Sequence, residues 1–271
     1  MNHVLTVGEI YDKAIDLCLR NAGKIALTLG SFCLATNTLG ALGSSFRGGK
    51  LWTAMHVHPR EPILHGVWLT VLENLTWFIV FPMIRAALTV LFDTCMHGRA
   101  LGLQECFKSP LRRTANTIVA SLLLDVASFA ALIVVWLPAF FAYFGVGATI
   151  LVPIVALAFV LVWLTAPLMI GVATGFAQVA LDAGRVVSSV RFGLANAFAK
   201  PSRGRALGVA LPLVVIFAIG NMGGYYAGAA VLGLTDNIVA YVILLTAGEV
   251  AALSLLTAVA AVYYRNPLRA A

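Results

Sequence analysis

Four ionisable side chains stand inside long apolar runs of the chain: Glu73, Arg85, Asp125 and Glu249. Asn37, Asn74, Gln178 and Asn221 stand in such runs too. A charge at the centre of a bilayer costs about 2.5–3.5 kcal/mol on an insertion scale, so a side chain of this kind turns inward and finds a partner. Arg85 sits about two turns from the end of its run, and Asp125 nearly three turns into the next. At about 1.5 Å per residue these levels differ by only a few Å, which predicts a buried Arg85–Asp125 pair. Asn37, Asn221 and Glu249 fall near the middle of three runs and form a candidate midplane polar centre. A buried Glu can relay protons or touch a substrate. It can equally be a protonated acid hydrogen-bonded to a neighbouring helix, which is structural. Glu73 and Asn74 lie nearer the outer surface, where headgroups and water are in reach.

Other residues with chemical capacity lack the company that chemistry needs. His56, His58 and His65 have no nearby Cys or well-spaced carboxylate, so no metal site is assigned. Cys95-Met96-His97 has no second ligand pair. The four cysteines, Cys18, Cys33, Cys95 and Cys106, show no CxxC or zinc-like spacing, and no disulfide is expected. Ser188-Ser189 has no accompanying base, and neither a GxSxG elbow nor a P-loop is present. No catalytic residue, metal or cofactor is therefore assigned, and the reading is of a non-enzyme. Trp52, Trp68, Trp77, Trp136 and Trp163 suit interface belts and bundle packing.

The elements that position these residues follow from composition. Of 271 residues, 61% are hydrophobic and only 11% charged, and the mean hydropathy is +0.95. A soluble domain carries about 25% charged residues. The expected fold is all-α: a single integral membrane domain over 1–271, a polytopic bundle of six transmembrane helices. The runs lie at about 24–46, 63–92, 115–144, 148–180, 206–232 and 238–264, each long enough to span. Fourteen Lys and Arg residues fall in segments on the N-terminal side and three (Arg47, Lys50, Arg60) on the other. That bias places both termini in the cytoplasm, the protein being multi-pass in the cytoplasmic (inner) membrane. The net charge of +7 then belongs to one face. Arg20, Lys24, Arg112, Arg113, Arg203 and Arg205 are the candidates that meet anionic lipid headgroups or a membrane-protein partner, with no nucleic acid required.

Thr6-Val7-Gly8-Glu9 fits a capping box. After it, Ile10, Ala14 and Leu17 recur at helical spacing, with Asp12, Lys13, Asp16 and Arg20 on the other side. The first stretch is thus an amphipathic helix and not the apolar core of a signal peptide. It is too short and charged to span, and it seats the first span with its apolar face toward lipid or toward the bundle. Basic, partly amphipathic stretches recur before spans three (98–124) and five (181–211). The chain reads as a three-fold pseudo-repeat of cytoplasmic helix plus helical hairpin, over about 1–92, 93–180 and 181–271. Pro82, Pro138, Pro153, Pro167 and Pro212 interrupt four spans. Gly220, Gly223, Gly224 and Gly228 offer span five a surface for close packing.

LTVGEIYDKAIDLCLRNAGKIALTL, HGRALGLQECFKSPLRR, ALDAGRVVSSVRFGLANAFAKPSRGRALGV and the closing AAVYYRNPL together resemble a known family. It is the membrane domain attached to some glycerophosphodiester phosphodiesterases, and its standalone six-helix relatives. The resemblance implies fold and location and no activity, because the phosphodiesterase itself needs a separate soluble barrel with histidine and paired acids. Three functions follow as expectations. The first is a non-enzymatic accessory, assembly or membrane-organising factor. The second is a small transporter or lipid-moving protein that uses the midplane residues. The last is a membrane-embedded enzyme.

Overall fold

The computed structural model describes residues 4–48, 61–143, 147–182, 184–235 and 238–266. His56, His58, Trp52, Lys50 and Arg60, and the side chains of Arg47, Asn221, His65 and Trp136, lie outside that description.

Apolar runs of this length fold as helices in lipid because every backbone N–H and C=O must be satisfied within the segment. The described residues contain no strand. The elements are α1 (Val7–Arg20), α2 (Ala22–Ile25), a π-helical turn (Ala26–Gly30), α3 (Ser31–Gly48), α4 (Glu61–Met96), α5 (Leu103–Arg112), α6 (Thr114–Tyr143), α7 (Ala148–Asp182), α8 (Val186–Phe198), α9 (Lys200–Thr235) and α10 (Ile238–Arg265). Among the described residues, six are long and apolar enough to cross a membrane: Ala22–Leu42, Val71–Met96, Thr114–Ala131, Thr149–Asp182, Ser202–Gly220 and Val239–Arg265. The protein is an all-α, multi-pass integral membrane protein. The helices run unbroken through Pro82, Pro138, Pro153, Pro167 and Pro212. α9 begins at Lys200, earlier than the apolar run, because Pro201 in a first helical turn removes an N–H that has no intrahelical partner anyway.

Three antiparallel hairpins, α3/α4, α6/α7 and α9/α10, make up the bundle. Each short helix lies against the second helix of a hairpin. α5 packs on α4, α8 packs on α7, and α1 packs mainly on α10, so the first helix of the chain seats on the last. All three bury residues four positions apart. In α1 they are Ile10 and Ala14, with Leu17 one turn on; in α5, Cys106 and Pro110; in α8, Ser189, Gly193 and Ala197. The apolar face of α1 thus turns to the bundle. Its start is fixed by Thr6 Oγ1 accepting from Glu9 N–H at 3.3 Å and Glu9 Oε2 accepting from Thr6 N–H at 2.6 Å.

Glycines set the tightest crossings. Gly220, Gly224 and Gly228 of α9 face Gly248, Leu245 and Tyr241 of α10, and a Cβ on Gly248 would overlap the Gly220 carbonyl. Gly223 stands off this seam. The same device joins α8 to α7, where Gly193 lies on the Gly171 carbonyl and Gly175 meets the backbone of Ser189 and Val190. The central core includes Phe92, Leu88, Leu91, Leu29, Leu213 and Leu256, all less than 3% exposed.

Candidate functional site

Polar groups gather at three levels of the bundle. Near midspan, α3 presents Asn37, which is 8% exposed. Its Nδ2 donates to Glu249 Oε2 at 2.8 Å and to Thr246 Oγ1 at 3.2 Å. Thr246 and Glu249 are three residues apart on α10, so one face of that helix receives the amide. Asn37 and Glu249 are therefore brought together. Asn221 follows Gly220, which meets Gly248, but its side chain lies outside the described residues. Glu73 turns its carboxylate toward Gly40 of α3, where a Cβ would sit 2.8 Å from Oε1. The acid placed near headgroups by depth alone thus leans on the bundle, because glycine leaves it room.

One level nearer the termini, Arg85 Nη2 lies 2.7 Å from Asp125 Oδ1. Arg85 Nη1 also donates to Ser121 Oγ at 2.8 Å. The guanidinium lies 4.3 Å from the Phe81 ring centroid and 5.9 Å from that of Phe176. Phe81 belongs to an aromatic trio with Phe32 and Trp77. A cation that is 3% exposed is thus held by one carboxylate, one hydroxyl and two ring faces.

The third level is the end of the bundle that carries both described termini and most of the cations, here termed the basic end. There the last turns of α4, α7 and α10 converge. Arg265 donates from Nε to Asp93 Oδ1 at 2.5 Å and from Nη2 to Asp93 Oδ2 at 3.0 Å. It also lies 3.6 Å from Asp182, which accepts from the Tyr264 hydroxyl. Asp93, Asp182 and Tyr264 were not among the sequence candidates. The signal for them is positional: each closes the second helix of its hairpin, just before a turn rich in Gly, Arg or Asn.

Of the six basic candidates, Arg20 is exposed and pairs with Asp16 at 2.7 Å. Lys24 Nζ donates to Leu101 O at 3.0 Å, tying α2 to the α4–α5 connection. Arg112 and Arg203 are exposed and Arg113 half-buried. Arg205 turns inward instead of toward headgroups. Its Nη1 donates to Asn266 O at 2.7 Å, and its guanidinium lies 5.3 Å from the Tyr263 ring centroid. Asn266 in turn accepts from Leu5 N–H at 3.3 Å, so this arginine anchors both ends of the chain.

Between the α1–α2 elbow, the end of α4 and the end of α10 lies a half-open cavity of about 580 Å³. Lys13, Asp16, Arg20, Lys24, Arg99 and Arg265 line it, above apolar Leu5, Leu17, Met96 and Val262. Gly98, at φ +70°, lets the chain turn after α4 and deliver Arg99 to the rim. Cys95 lies in its wall, its Sγ 3.6 Å from Asn21 Oδ1.

Nucleophilic chemistry is disfavoured at the thiols outside the spans. Burial raises the Cys18 pKa to about 11, against a weaker opposing hydrogen bond to Ser254. Burial also raises that of Cys106, which the nearby Lys24 partly offsets. Both are protonated at neutral pH. Ser188 Oγ donates to Arg185 O, and Ser189 is buried. No group of three or more His, Cys, Asp or Glu residues suited to a metal occurs among the described residues. In comparisons with known proteins, no family profile, no curated protein and no solved structure matches the chain.

Proposed function

We propose that this protein is a non-enzymatic organising or assembly factor of the cytoplasmic membrane, with both termini and the basic end in the cytoplasm. The observation that carries the reading is the Asn37 amide, which donates to two acceptors on α10. A side chain spent on helix–helix contact supports a tie between spans one and six rather than a moving gate. Arg85 and Asp125 tie spans two and three in the same way.

A three-fold repeat is part of the proposal. Its support is the cyclic seating of α5, α8 and α1 on α4, α7 and α10, and the meeting of three hairpin ends at Asp93, Asp182 and Arg265. Kinship with the membrane domain carried by some glycerophosphodiester phosphodiesterases is also proposed, on the four stretches quoted above.

The test is flux in proteoliposomes. Wild type and Glu249→Gln are reconstituted with a pH-sensitive dye inside. The organising role predicts that neither dissipates an imposed pH gradient faster than empty vesicles. A wild-type proton leak that Glu249→Gln abolishes would favour the transport reading and overturn this one.

A further inference from the structure

We propose that the cavity at the basic end is a binding site for a phosphate-bearing anion. This goes beyond the organising role, which rests on the midspan ties and not on the cavity.

Charge is the first argument. Five cationic side chains line the cavity against one carboxylate, Asp16. Arg20 is engaged by Asp16 and Arg265 by Asp93. Lys24 gives one N–H to Leu101 O, which leaves its charge uncompensated. Lys13 and Arg99 have no ion pair among the described residues. Three cations from three chain segments thus face a common space without a counter-charge, and a multiply charged anion relieves their repulsion.

Size and level supply the second. About 580 Å³ is in the range of small-molecule sites and exceeds a bare phosphate, leaving room for a glycerol or similar group. Met96 and Arg265 are the last residues of spans two and six, so the cavity opens where lipid headgroups lie. Basic pockets between membrane helices at that level hold phosphorylated headgroups. The apolar wall of Leu5, Leu17, Met96 and Val262 raises the local strength of the charges by excluding water.

The shared chemistry is a phosphate, carried by a lipid or by a soluble molecule. Purified full-length protein in detergent is titrated with dioleoyl phosphatidic acid and with dioleoyl phosphatidylcholine, and adducts are counted by native mass spectrometry. The site predicts selective binding of phosphatidic acid, weakened about tenfold to thirtyfold in Lys13→Gln/Arg99→Gln. Lys108→Gln/Arg191→Gln removes the same charge at exposed positions outside the cavity and leaves binding unchanged. Displacement by inorganic phosphate assigns a soluble ligand; resistance to it assigns the lipid. Wild-type Cys95 gives a reading free of variants: its methanethiosulfonate labelling, resolved by peptide mapping, slows when phosphatidic acid is bound. No preference over phosphatidylcholine, equal loss in both double variants, or unchanged Cys95 labelling overturns the proposal.

Discussion

Arg85 of α4 and Asp125 of α6 stand 2.7 Å apart, with the arginine 3% exposed and stacked over Phe81. The geometry makes the two residues unequal. Asp125 is more than one-third exposed at its side chain and can meet water if left alone, whereas Arg85 cannot. Arg85→Leu removes the costly buried cation together with the pair. Asp125→Leu leaves that cation with Ser121 and two rings.

Asp125→Leu is therefore expected to destabilise the protein by about 3–5 kcal/mol, the range for stranding a buried charge. Replacing both residues with Leu costs less than Asp125→Leu alone. Denaturant unfolding in micelles, run as a double-mutant cycle, reads the coupling; additive single effects contradict the pair.

The α9–α10 crossing predicts a sharp positional effect. Gly248→Leu places a side chain on the Gly220 carbonyl and separates the hairpin, at a cost of about 1–3 kcal/mol or more. Gly223→Ala meets only its own helix, at Ile219, and leaves the thermal midpoint unchanged or raised. Equal losses at the two positions would show that the crossing is not set by glycine contact.

Several of these relationships are legible in the chain and others are not. Hydropathy alone delimits six spans, because lipid leaves a long apolar segment no alternative to a helix. Thr6 and Glu9 declare the start of α1 because both partners of a capping box lie within one turn. Depth arithmetic brings Arg85 and Asp125 level, since helix rise is fixed. Partner choice between distant segments is not encoded locally. Asp93 and Arg265 are 172 positions apart, and Arg205 turns inward because Tyr263 and Asn266 arrive from the other end of the chain. The fold-back of α8 onto α7 depends on Gly171, Gly175 and Gly193, which periodicity marks as small but does not pair.

Alkaline pH probes the seat of α1. Burial raises the folded-state pKa of Cys18 to about 11 from an ordinary value near 9.0, and raises that of the Tyr11 hydroxyl, which donates to Val209 O at 2.5 Å. A group whose folded pKa is raised contributes stability that is complete below its unfolded pKa and is lost as pH climbs toward the folded one. Stability is therefore expected to fall between about pH 9 and 11, with Cys18→Ala flattening that part of the slope. Melting curves across this range check it; an identical slope in Cys18→Ala removes the thiol from the account.

The reading of the basic end depends on which side of the bilayer it occupies. Reporter fusions after Ala271 and within the connection at residues 49–60 measure this directly, using one reporter active only in the cytoplasm and one active only outside. The account predicts cytoplasmic activity after Ala271 and external activity in the connection. An external C-terminus, or both positions on one side, would contradict it.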